Sequence, residues 1–289
     1  MVDDNLFKSR ISLYRYKGFI FPGEIILSGI LQELPKFQFR ENDVIVASFP
    51  KSGTTWVQEI VYMLTHNLEK SDDSSEVLET RFPYLEYPYP GIKSIAKQKG
   101  QRHIKTHLPA TILPPSFVSS GAKLIYITRN PKDTIVSYWH FVRLLSTVSF
   151  IGSFREFLQL FLSDKVPYGP FYDHLRTYFD LQKTQNVLII TYEDLKENPI
   201  QYYLQVPVTD SEAFDVAVAT TFRSMSENKS VNYEHWKDIG FANKNEGKFL
   251  RKGVVGDWKN YFTPEMLKDF ESWRIKNEPD EICKFKNNL

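Results

Sequence analysis

The stretch DVIVASFPKSGTTW, residues 43–56, decides the fold that this sequence predicts. Its first half, DVIVASF (43–49), is a short apolar run rich in β-branched residues, which is typical of a buried strand. The turn residues PKSG (50–53) follow, and apolar side chains at helical spacing then predict a helix over residues 54–64. A buried strand that passes through a glycine turn into a helix is one βα unit of a parallel sheet.

Three further segments extend this unit into an α/β fold. AKLIYIT (122–128) is predicted to be a strand that leads through the turn RNP into a helix at about residues 132–145. NVLIITY (186–192) is a third strand, and RHIKT (102–106) is a weaker strand candidate. We therefore expect one α/β domain over residues 1–289, a central parallel β-sheet flanked by helices. Further helical segments are predicted at residues 150–179 and 264–276.

Composition narrows the classes of function. The 289 residues carry 36 Lys and Arg against 35 Asp and Glu, so we expect no nucleic-acid partner. A single cysteine, Cys283, excludes an internal disulfide framework and a multi-cysteine zinc site. Residues 1–17 lack the continuous apolar segment of a signal peptide, and the sequence has no run of about 18 uncharged apolar residues. These features predict a cytoplasmic protein with no membrane partner.

The turn after the first strand has the composition of an anion-binding site. Ser52, Gly53 and Thr54 open a helix whose free backbone N–H groups and dipole favour a negative ligand, and Lys51 adds a full positive charge. The spacing differs from a Walker A loop, because Lys51 precedes the glycine. The sequence thus predicts a P-loop-like loop for phosphate or sulfate and weakens the usual nucleoside-triphosphate interpretation. The alternative is that Ser52 and Thr54 only cap the helix.

Two more basic segments are candidates for holding phosphate. Arg129 follows the second strand and offers a planar fork of donors, while Ser137 lies two turns along the next helix and could donate its hydroxyl. Arg251 and Lys252 form a compact basic turn with Gly253, which permits close backbone approach. The alternatives are a surface arginine, a helix-packing serine and a solvated charged loop.

Lys105 and His107 are the candidates for acid–base chemistry. They lie two residues apart on a predicted strand, so their side chains point to the same face. A histidine base beside a cation suits a reaction in which negative charge develops, although a lone histidine can also be structural. His103 precedes His107 by four residues, but non-helical flanks and the lack of a nearby third ligand argue against a metal. The candidate base-stacking side chains, each of which could instead be a core residue, are Trp56, Tyr192 and Phe222.

Five short motifs occur in a fixed order along the chain. They are FPKSGTTW (49–56), KTHLP (105–109), RNPKD (129–133), TYEDLKENP (191–199) and RKGVVGDWKNYFT (251–263). In this order and at nearly this spacing they resemble the cytosolic sulfotransferase family, and the match covers nearly the whole chain. The resemblance implies transfer of a sulfuryl group from 3′-phosphoadenosine 5′-phosphosulfate (PAPS) to a hydroxyl of a small molecule, without a metal. The nucleotide product would be 3′-phosphoadenosine 5′-phosphate (PAP).

The resemblance also implies a role for each matching residue. His107 would be the general base that deprotonates the acceptor, and Lys105 and Lys51 would stabilise the sulfuryl oxygens and the leaving phosphate. Such a transfer depends on in-line placement and charge stabilisation more than on covalent help. The implied contacts are the 5′-phosphosulfate end for Lys51, Ser52, Gly53, Thr54 and Thr55, adenine for Trp56, Phe222, Tyr192 and Thr220, and the 3′-phosphate for Arg129, Ser137, Arg251, Lys252 and Gly253.

The resemblance further implies an acceptor pocket over His107. Aromatic residues that precede or flank the motifs would line it, and a small apolar hydroxyl compound (a phenol, a sterol or another alcohol) would fill it. The alternative is that most of these aromatic residues belong to the core. The candidate lining residues are Phe21, Phe82, Tyr84, Tyr87 and Phe141, together with Lys105 and His107.

Two departures from the family's pattern bear on local structure and assembly. Residues 199–220 are about six residues shorter than in familiar members and include Pro207 where the family continues a helix. In the family's dimer motif, Lys-x3-Thr-Val-x3-Glu, Pro264 here replaces Val and Lys268 replaces Glu. Proline lacks a backbone N–H donor, and the lysine would face a like charge across a two-fold axis. We therefore expect a monomer, with Pro264 in the first turn of a helix that Thr263 caps.

Two alternatives to this enzyme stay open. One is a nucleotide-binding protein that keeps the cofactor site but has no turnover. The pair Lys105 and His107 favours an enzyme, since a pure binder needs no base there. The other is a P-loop-like phosphotransferase, which is disfavoured because the Walker A spacing and an evident carboxylate for magnesium are both missing beside Lys51.

Overall fold

The strands of this protein form two sheets. The structure is a computed structural model that describes residues 6–7, 12–66, 76–197 and 209–279. The strands are β1 (Leu13–Tyr16), β2 (Phe19–Pro22), β3 (Val44–Ser48), β4 (His103–Thr106), β5 (Lys123–Thr128) and β6 (Val187–Thr191). β1 and β2 form an antiparallel hairpin. The other four strands form a parallel sheet in the order β4-β3-β5-β6. The predicted α/β fold with a central parallel sheet is therefore confirmed.

Helices precede, connect and follow the strands of the parallel sheet. They are α1 (Gly23–Leu27), α2 (Ile30–Glu33), α3 (Thr54–Thr65), α4 (Leu78–Arg81), α5 (Gly91–Lys97), α6 (Phe117–Ser120), α7 (Pro131–Leu144), α8 (Phe154–Leu162), α9 (Phe171–Gln182), α10 (Tyr192–Glu197), α11 (Asp210–Ala219), α12 (Phe222–Glu227), α13 (His235–Asp238) and α14 (Pro264–Asn277). Short 3₁₀ turns lie at Leu34–Lys36, Ala110–Ile112 and Asp257–Asn260. Within the described ranges, none of these helices combines the length and apolar character needed to cross a lipid bilayer.

The four strands of the parallel sheet differ from the predicted ones by at most one residue at either end, whereas β1 and β2 were not predicted. One helical prediction needs correction. The segment 150–179 is not a single helical run, since α8 ends at Leu162 and α9 begins at Phe171. Between the two helices, Asp164 and Tyr168 adopt positive φ angles of 56° and 66°. Pro167 lacks a backbone N–H donor, so a continuous helix could not bond through this turn.

The shortened segment before α11 falls mostly outside the described residues. α10 ends at Glu197, and residues 198–208, including Pro207, are not described. α11 then begins after Thr209, whose side chain accepts a hydrogen bond from the Glu212 backbone N–H. Near the other end of the chain, the Thr263 side chain accepts a hydrogen bond from the Met266 N–H at the start of α14, which confirms its predicted capping role.

β3 is buried on both faces, as a strand in the middle of a parallel sheet should be. Ile45 and Ala47 belong to one hydrophobic cluster, whereas Val44 and Val46 belong to a second one on the opposite face. The alternation follows from the two-residue period of a strand. The apolar run that predicted the fold therefore packs against two layers of helices at once.

The last residues of the four parallel strands place the sequence motifs at one edge of the sheet. β3, β4, β5 and β6 end at Ser48, Thr106, Thr128 and Thr191. Four of the five motifs span or follow these ends, so their side chains converge where α/β folds commonly bind ligands.

Candidate functional site

The loop between β3 and α3 has a backbone that requires glycine. Lys51 has a φ angle of 68° and Gly53 a φ angle of 109°. A Cβ atom on Gly53 would stand 2.7 Å from the Tyr192 ring and 3.1 Å from Ile127. The turn thus packs directly against the ends of β5 and β6, with no space for a side chain at residue 53.

Hydroxyl groups surround the N-terminus of α3. The Oγ1 atom of Thr54 lies 2.5 Å from the Oγ atom of Ser48. Ser52 Oγ is buried without a hydrogen-bond partner among the described residues, and Thr55 is also buried. No side chain caps α3, so Ser52 and Thr54 are not acting as N-caps. The first N–H groups of the helix are therefore donors that an anion could use.

His107 lies just beyond β4 with its ring held in one orientation. Its Nδ1 atom is 2.8 Å from the carbonyl oxygen of Ser48, which can only accept a hydrogen bond. Nδ1 therefore carries the proton, and Nε2 keeps its lone pair. The Tyr84 hydroxyl lies 3.3 Å from Nε2.

Burial keeps His107 neutral. Desolvation, the ammonium of Lys105 and the nearby His174 and Lys51 hold the pKa of His107 well below its usual value. Lys105 is itself buried, and desolvation lowers its pKa to about 8. The Lys105 ammonium lies 4.2 Å from the centre of the Tyr84 ring. The site thus holds an unprotonated imidazole, as a general base must be, next to a cation that can hold developing negative charge.

Lys51 is held between two aromatic rings. Its ammonium lies 3.7 Å from the centre of the Phe249 ring and 4.4 Å from that of Phe141. Desolvation lowers the pKa of Lys51 well below its usual value, and repulsion from Lys105, Arg129 and Arg251 adds to the effect. These groups form a concentration of positive charge at the carboxyl end of the sheet.

The second basic group is built around Arg129. Its guanidinium donates to the Val254 carbonyl oxygen at 2.9 Å and stacks 4.3 Å from the Tyr192 ring centre. The loop that carries Val254 is fixed by Asp133, which accepts hydrogen bonds from the Gly256 and Trp258 backbone N–H groups at 2.7 and 3.0 Å. Arg129, which follows β5, and the basic turn at residues 251–253 are therefore joined into one structure.

Asp257 orients the two cations of that turn. Arg251 and Lys252 both donate to its carboxylate, Lys252 at 2.8 Å. The pKa of Asp257 is about 2: burial opposes ionisation, but hydrogen bonds from Lys252, Asn260 and Arg251 outweigh it. Gly253 has a φ angle of 64°, and a Cβ atom there would lie 2.2 Å from the Phe222 ring.

The candidate adenine-binding side chains gather beside this loop. Trp56 and Tyr192 meet edge to face, with ring centres 5.3 Å apart. Thr220 is buried and donates its hydroxyl to the Val216 carbonyl oxygen at 2.8 Å. Phe222 begins α12, with two residues between it and the end of α11.

A continuous cavity of about 810 Å³ joins these groups. Its size is within the range of pockets that hold small-molecule ligands. The predicted site residues that line it are Lys51, Gly53, Thr54, Thr55, Trp56, Tyr84, Tyr87, Lys105, His107, Arg129, Ser137, Phe141, Tyr192, Thr220, Phe222, Arg251, Lys252 and Gly253.

Three predicted site residues do not line this cavity. Ser52, a residue of the loop, has no exposed surface, and neither have Phe21 and Phe82. Phe21 packs edge-on against Tyr168 with ring centres 5.6 Å apart, and Phe82 packs against His103 at 4.8 Å. Phe21 and Phe82 are therefore core residues and not part of an acceptor pocket, because both side chains pack against other aromatic groups.

Two of the cavity residues that the sequence prediction missed lie against predicted catalytic residues. Phe249 contacts Lys51, and the Tyr168 ring lies 5.5 Å from the His107 ring. Phe249 stands two residues before Arg251, a spacing that could have suggested a shared face. Tyr168 lies in the turn between α8 and α9, far from every motif, and carries no such signal.

Comparison with known proteins assigns the family. The family model described as "Sulfotransferase domain" matches residues 41–277. The chain belongs to the sulfotransferase family. This family member is 33% identical to "Sulfotransferase 1 family member D1" of Mus musculus over 267 residues, which cover 89% of this chain and 90% of the relative.

Solved structures agree with this assignment. A mouse sulfotransferase, SULT7A1, complexed with PAP matches this family member at a TM-score of 0.72 and 29% identity, covering 92% of this chain and 94% of the other. Retinol dehydratase, solved with androsterone and inactive cofactor PAP, matches at 0.87 over 98% and 94% of the two chains. At 24% sequence identity, this match shows similarity of the fold alone. In the described part of this sulfotransferase, no group of three or more His, Cys, Asp or Glu residues is placed to hold a metal ion.

Proposed function

We propose that this protein transfers a sulfuryl group from PAPS to a hydroxyl of a small apolar acceptor, with His107 as general base. The observation that carries the proposal is the convergence of His107, Lys105 and Lys51 on one cavity that also contains the basic loop around Arg129. A base and a group of cations share this space, as in-line transfer of a charged group requires.

The residues at the loop fit a ligand with several negative charges. Within the described ranges, Lys51, Lys105 and Arg129 form no ion pair with a carboxylate. Burying such charges is unfavourable unless a partner is present, so an anion would relieve their repulsion. The uncapped N-terminus of α3 would add neutral donors.

The proposed contacts follow the two ends of the nucleotide. The 5′-phosphosulfate end would lie at the loop of residues 51–55, and the 3′-phosphate at Arg129, Ser137 and the turn of residues 251–253. Trp56, Phe222, Tyr192 and Thr220 would hold adenine. The mouse sulfotransferase SULT7A1, solved with PAP, supports this choice of nucleotide.

The acid–base step belongs to His107. Bound PAPS would supply the sulfuryl group. Nε2 of His107 would accept the proton of the acceptor hydroxyl, while Nδ1–H continues to donate to the Ser48 carbonyl oxygen. Lys105 and Lys51 would hold the negative charge that develops on the transferred group and on the leaving phosphate.

The acceptor would be an apolar compound such as a phenol, a sterol or another alcohol. Tyr84, Tyr87, Phe141 and Tyr168 line the same cavity as His107 and provide flat apolar walls. We also propose that residues 1–289 act as one domain, in the cytoplasm and as a monomer.

Incubation of the protein with ³⁵S-labelled PAPS and a panel of phenols, sterols and aliphatic alcohols tests the proposal. We expect label in a sulfated product of at least one apolar hydroxyl compound without added metal. Tight PAP binding without turnover would favour a nucleotide-binding protein instead. Transfer of ³²P from ATP to an acceptor would favour a phosphotransferase.

A further inference from the structure

Three of the four polar atoms of His107 are held by groups from other segments. Its backbone N–H donates to the Glu86 carboxylate at 2.7 Å, and its carbonyl oxygen accepts from His174 Nε2 at 2.9 Å. Its ring Nδ1–H donates to the Ser48 carbonyl oxygen at 2.8 Å. The fourth atom, Nε2, would take a proton and lies 3.3 Å from the Tyr84 hydroxyl.

The Glu86 side chain lies beside the outer edge of the parallel sheet, next to the end of β4. β4 is at the edge of the sheet, and the segment around Tyr84 pairs with its outer side. Lys105 N–H donates to the Pro83 carbonyl oxygen at 3.0 Å, and Leu85 N–H donates to the Lys105 carbonyl oxygen at 2.8 Å. One step further along, the Glu86 side chain takes the His107 N–H. The Glu86 carboxylate therefore accepts the hydrogen bond from the His107 N–H that a backbone carbonyl would accept if the strand pairing continued.

The same carboxylate binds two more groups of the site. Its Oε2 atom accepts from the Thr106 hydroxyl at 2.9 Å, and its Oε1 atom also accepts from the Tyr168 hydroxyl at 3.3 Å. Tyr168 forms part of the cavity wall beside the His107 ring. Glu86 itself does not line the cavity and has no exposed surface.

We infer that Glu86 is a positioning residue: its carboxylate fixes the backbone at Thr106 and His107, and with it the direction in which the His107 base points relative to the acceptor wall at Tyr168. This inference rests on the proposed function of His107 as the base. Glu86 touches neither acceptor nor nucleotide in this assignment, so its effect on the reaction passes entirely through His107 and Tyr168.

The chemistry of a carboxylate explains why glutamate suits this position. Its two oxygens accept from three donors at once, which a single backbone carbonyl or an amide oxygen does less completely. Burial raises the pKa of Glu86 to about 7, and the hydrogen bonds from His107 and Thr106 oppose that rise. A hydrophobic residue would avoid the desolvation but leave the three donors without a partner.

Two substitutions separate positioning from folding. Glu86→Leu removes every acceptor, whereas Glu86→Gln keeps one carbonyl oxygen for the His107 N–H. Misplacement of a reacting group by about 1 Å can lower a rate by about 10²-fold. We expect kcat to fall about 10²-fold in Glu86→Leu and to recover to within about fivefold of wild type in Glu86→Gln. Kd for PAP should stay within about threefold in both variants, because no contact to the nucleotide is lost.

Glu86→Asp covers the case in which the leucine variant does not fold. It retains the carboxylate, but its oxygens lie about 1.5 Å, one C–C bond, short of the His107 N–H. We expect an approximately tenfold lower kcat at nearly unchanged Kd for PAP.

A measurement that does not depend on turnover is the ¹⁵N NMR spectrum of the histidine ring nitrogens. The His107 signals are assigned by their loss in His107→Ala. We expect a single Nδ1–H tautomer in the wild type and mixed tautomers in Glu86→Leu, because the ring can then leave the Ser48 carbonyl oxygen.

Asp43→Asn is the matched control. Asp43 is a buried carboxylate at the opposite end of the sheet, where it pairs with Arg102. We expect Asp43→Asn to lower the melting temperature while leaving kcat of the folded protein and the His107 spectrum unchanged. This control separates general destabilisation from misplacement of the base.

The outcomes are distinguishable. Wild-type kcat in folded Glu86→Leu, or in Glu86→Asp if the leucine variant does not fold, would overturn the inference. So would losses that match the unfolded fraction, or an unchanged His107 tautomer. If the wild-type protein transfers no sulfuryl group, the proposed function fails on its own, and the NMR comparison still decides whether Glu86 orients His107.

Discussion

The Nδ1 atom of His107 and the carbonyl oxygen of Ser48 are 2.8 Å apart, although 59 residues separate them in sequence. The contact exists because β3 and β4 are neighbours in parallel, so the ends of both strands reach the same edge of the sheet. Ser48 ends the strand that leads to the anion loop, and His107 follows the strand that carries Lys105. One hydrogen bond therefore couples the orientation of the proposed base to the start of the proposed cofactor loop.

Replacement of His107 tests the base directly. We expect His107→Ala to lower kcat by about 10²–10⁴-fold, the usual contribution of general-base catalysis, and to leave PAP affinity within about threefold. Initial rates and calorimetric titration measure the two quantities. His66→Ala is the control, since His66 does not line the cavity. Near-normal turnover of His107→Ala would contradict the assignment.

Replacement of Arg129 tests the proposed 3′-phosphate site. Loss of a charge-assisted contact to a phosphate costs about 1.5–3 kcal/mol, so Arg129→Ala should weaken PAP by roughly that amount and 5′-AMP much less. Calorimetry with the two nucleotides gives the difference. Arg143→Ala, which removes an arginine paired with Glu246 outside the cavity, should affect neither. Equal losses for PAP and 5′-AMP would place the 3′-phosphate elsewhere.

Gly53 and Gly240 form a matched pair for the anion loop. Both have positive φ, but a Cβ atom would meet the Tyr192 ring at 2.7 Å at Gly53 and nothing within 4 Å at Gly240. Backbone strain alone costs alanine about 1–2 kcal/mol at such angles. We expect Gly240→Ala to lose only that stability, measured by urea unfolding, and Gly53→Ala to lose more stability and at least tenfold in PAP affinity. Equal effects of the two substitutions would argue against a close fit of the loop to Tyr192.

The lowered pKa of Lys105 predicts a pH dependence of nucleotide binding. Desolvation lowers that pKa to about 8, so the side chain is charged below this pH and becomes neutral above it. Attraction for an anion is lost in the same direction, and PAP affinity should fall by up to about tenfold per pH unit above pH 8. Lys105→Arg keeps its charge and should make the fall less steep, with the remaining pH dependence coming from Lys51, whose pKa is also lowered. A wild-type affinity that stays constant from pH 7 to 9.5 would count against Lys105 as a ligand contact.

The start of α14 predicts the state of assembly. Pro264 occupies the first turn of this helix and has no N–H to offer a partner chain. Light scattering at micromolar concentration should give a mass near 33.9 kDa. The double substitution Pro264→Val with Lys268→Glu restores the pattern of the family's dimer motif, and we expect it to raise the dimer fraction. A stable wild-type dimer that Lys259→Ala disrupts would show that the motif works despite Pro264.

The fold was predictable because its signals are local. The apolar run at residues 43–49 predicts a strand that is buried on both faces, and β3 packs against a hydrophobic cluster on each face. Within the chain, a strand, a glycine turn and a helix lie next to each other, so spacing alone predicts the anion loop. The motifs then mark the carboxyl ends of four strands that the parallel topology brings together.

Long-range contacts limited the prediction of the site. Glu86 meets the His107 N–H only because its segment pairs with the edge of β4, and nothing at residue 86 in the sequence signals that pairing. Phe21 and Phe82 illustrate a second limit, because an aromatic residue next to a motif can face either the cavity or the core. Both are enclosed in the core, whereas Tyr168 and Phe249, outside the predicted set, line the cavity.

The placement of the Lys51 ammonium between Phe141 and Phe249 has a consequence for protein engineering. Both rings line the cavity in which an acceptor would sit, yet both also contact the cation proposed to meet the donor. Trimming either ring to admit bulkier acceptors removes part of that contact, which is worth about 0.5–2 kcal/mol. Acceptor range and donor affinity are thus not independent design variables, and libraries at residues 141 and 249 need to be screened for both.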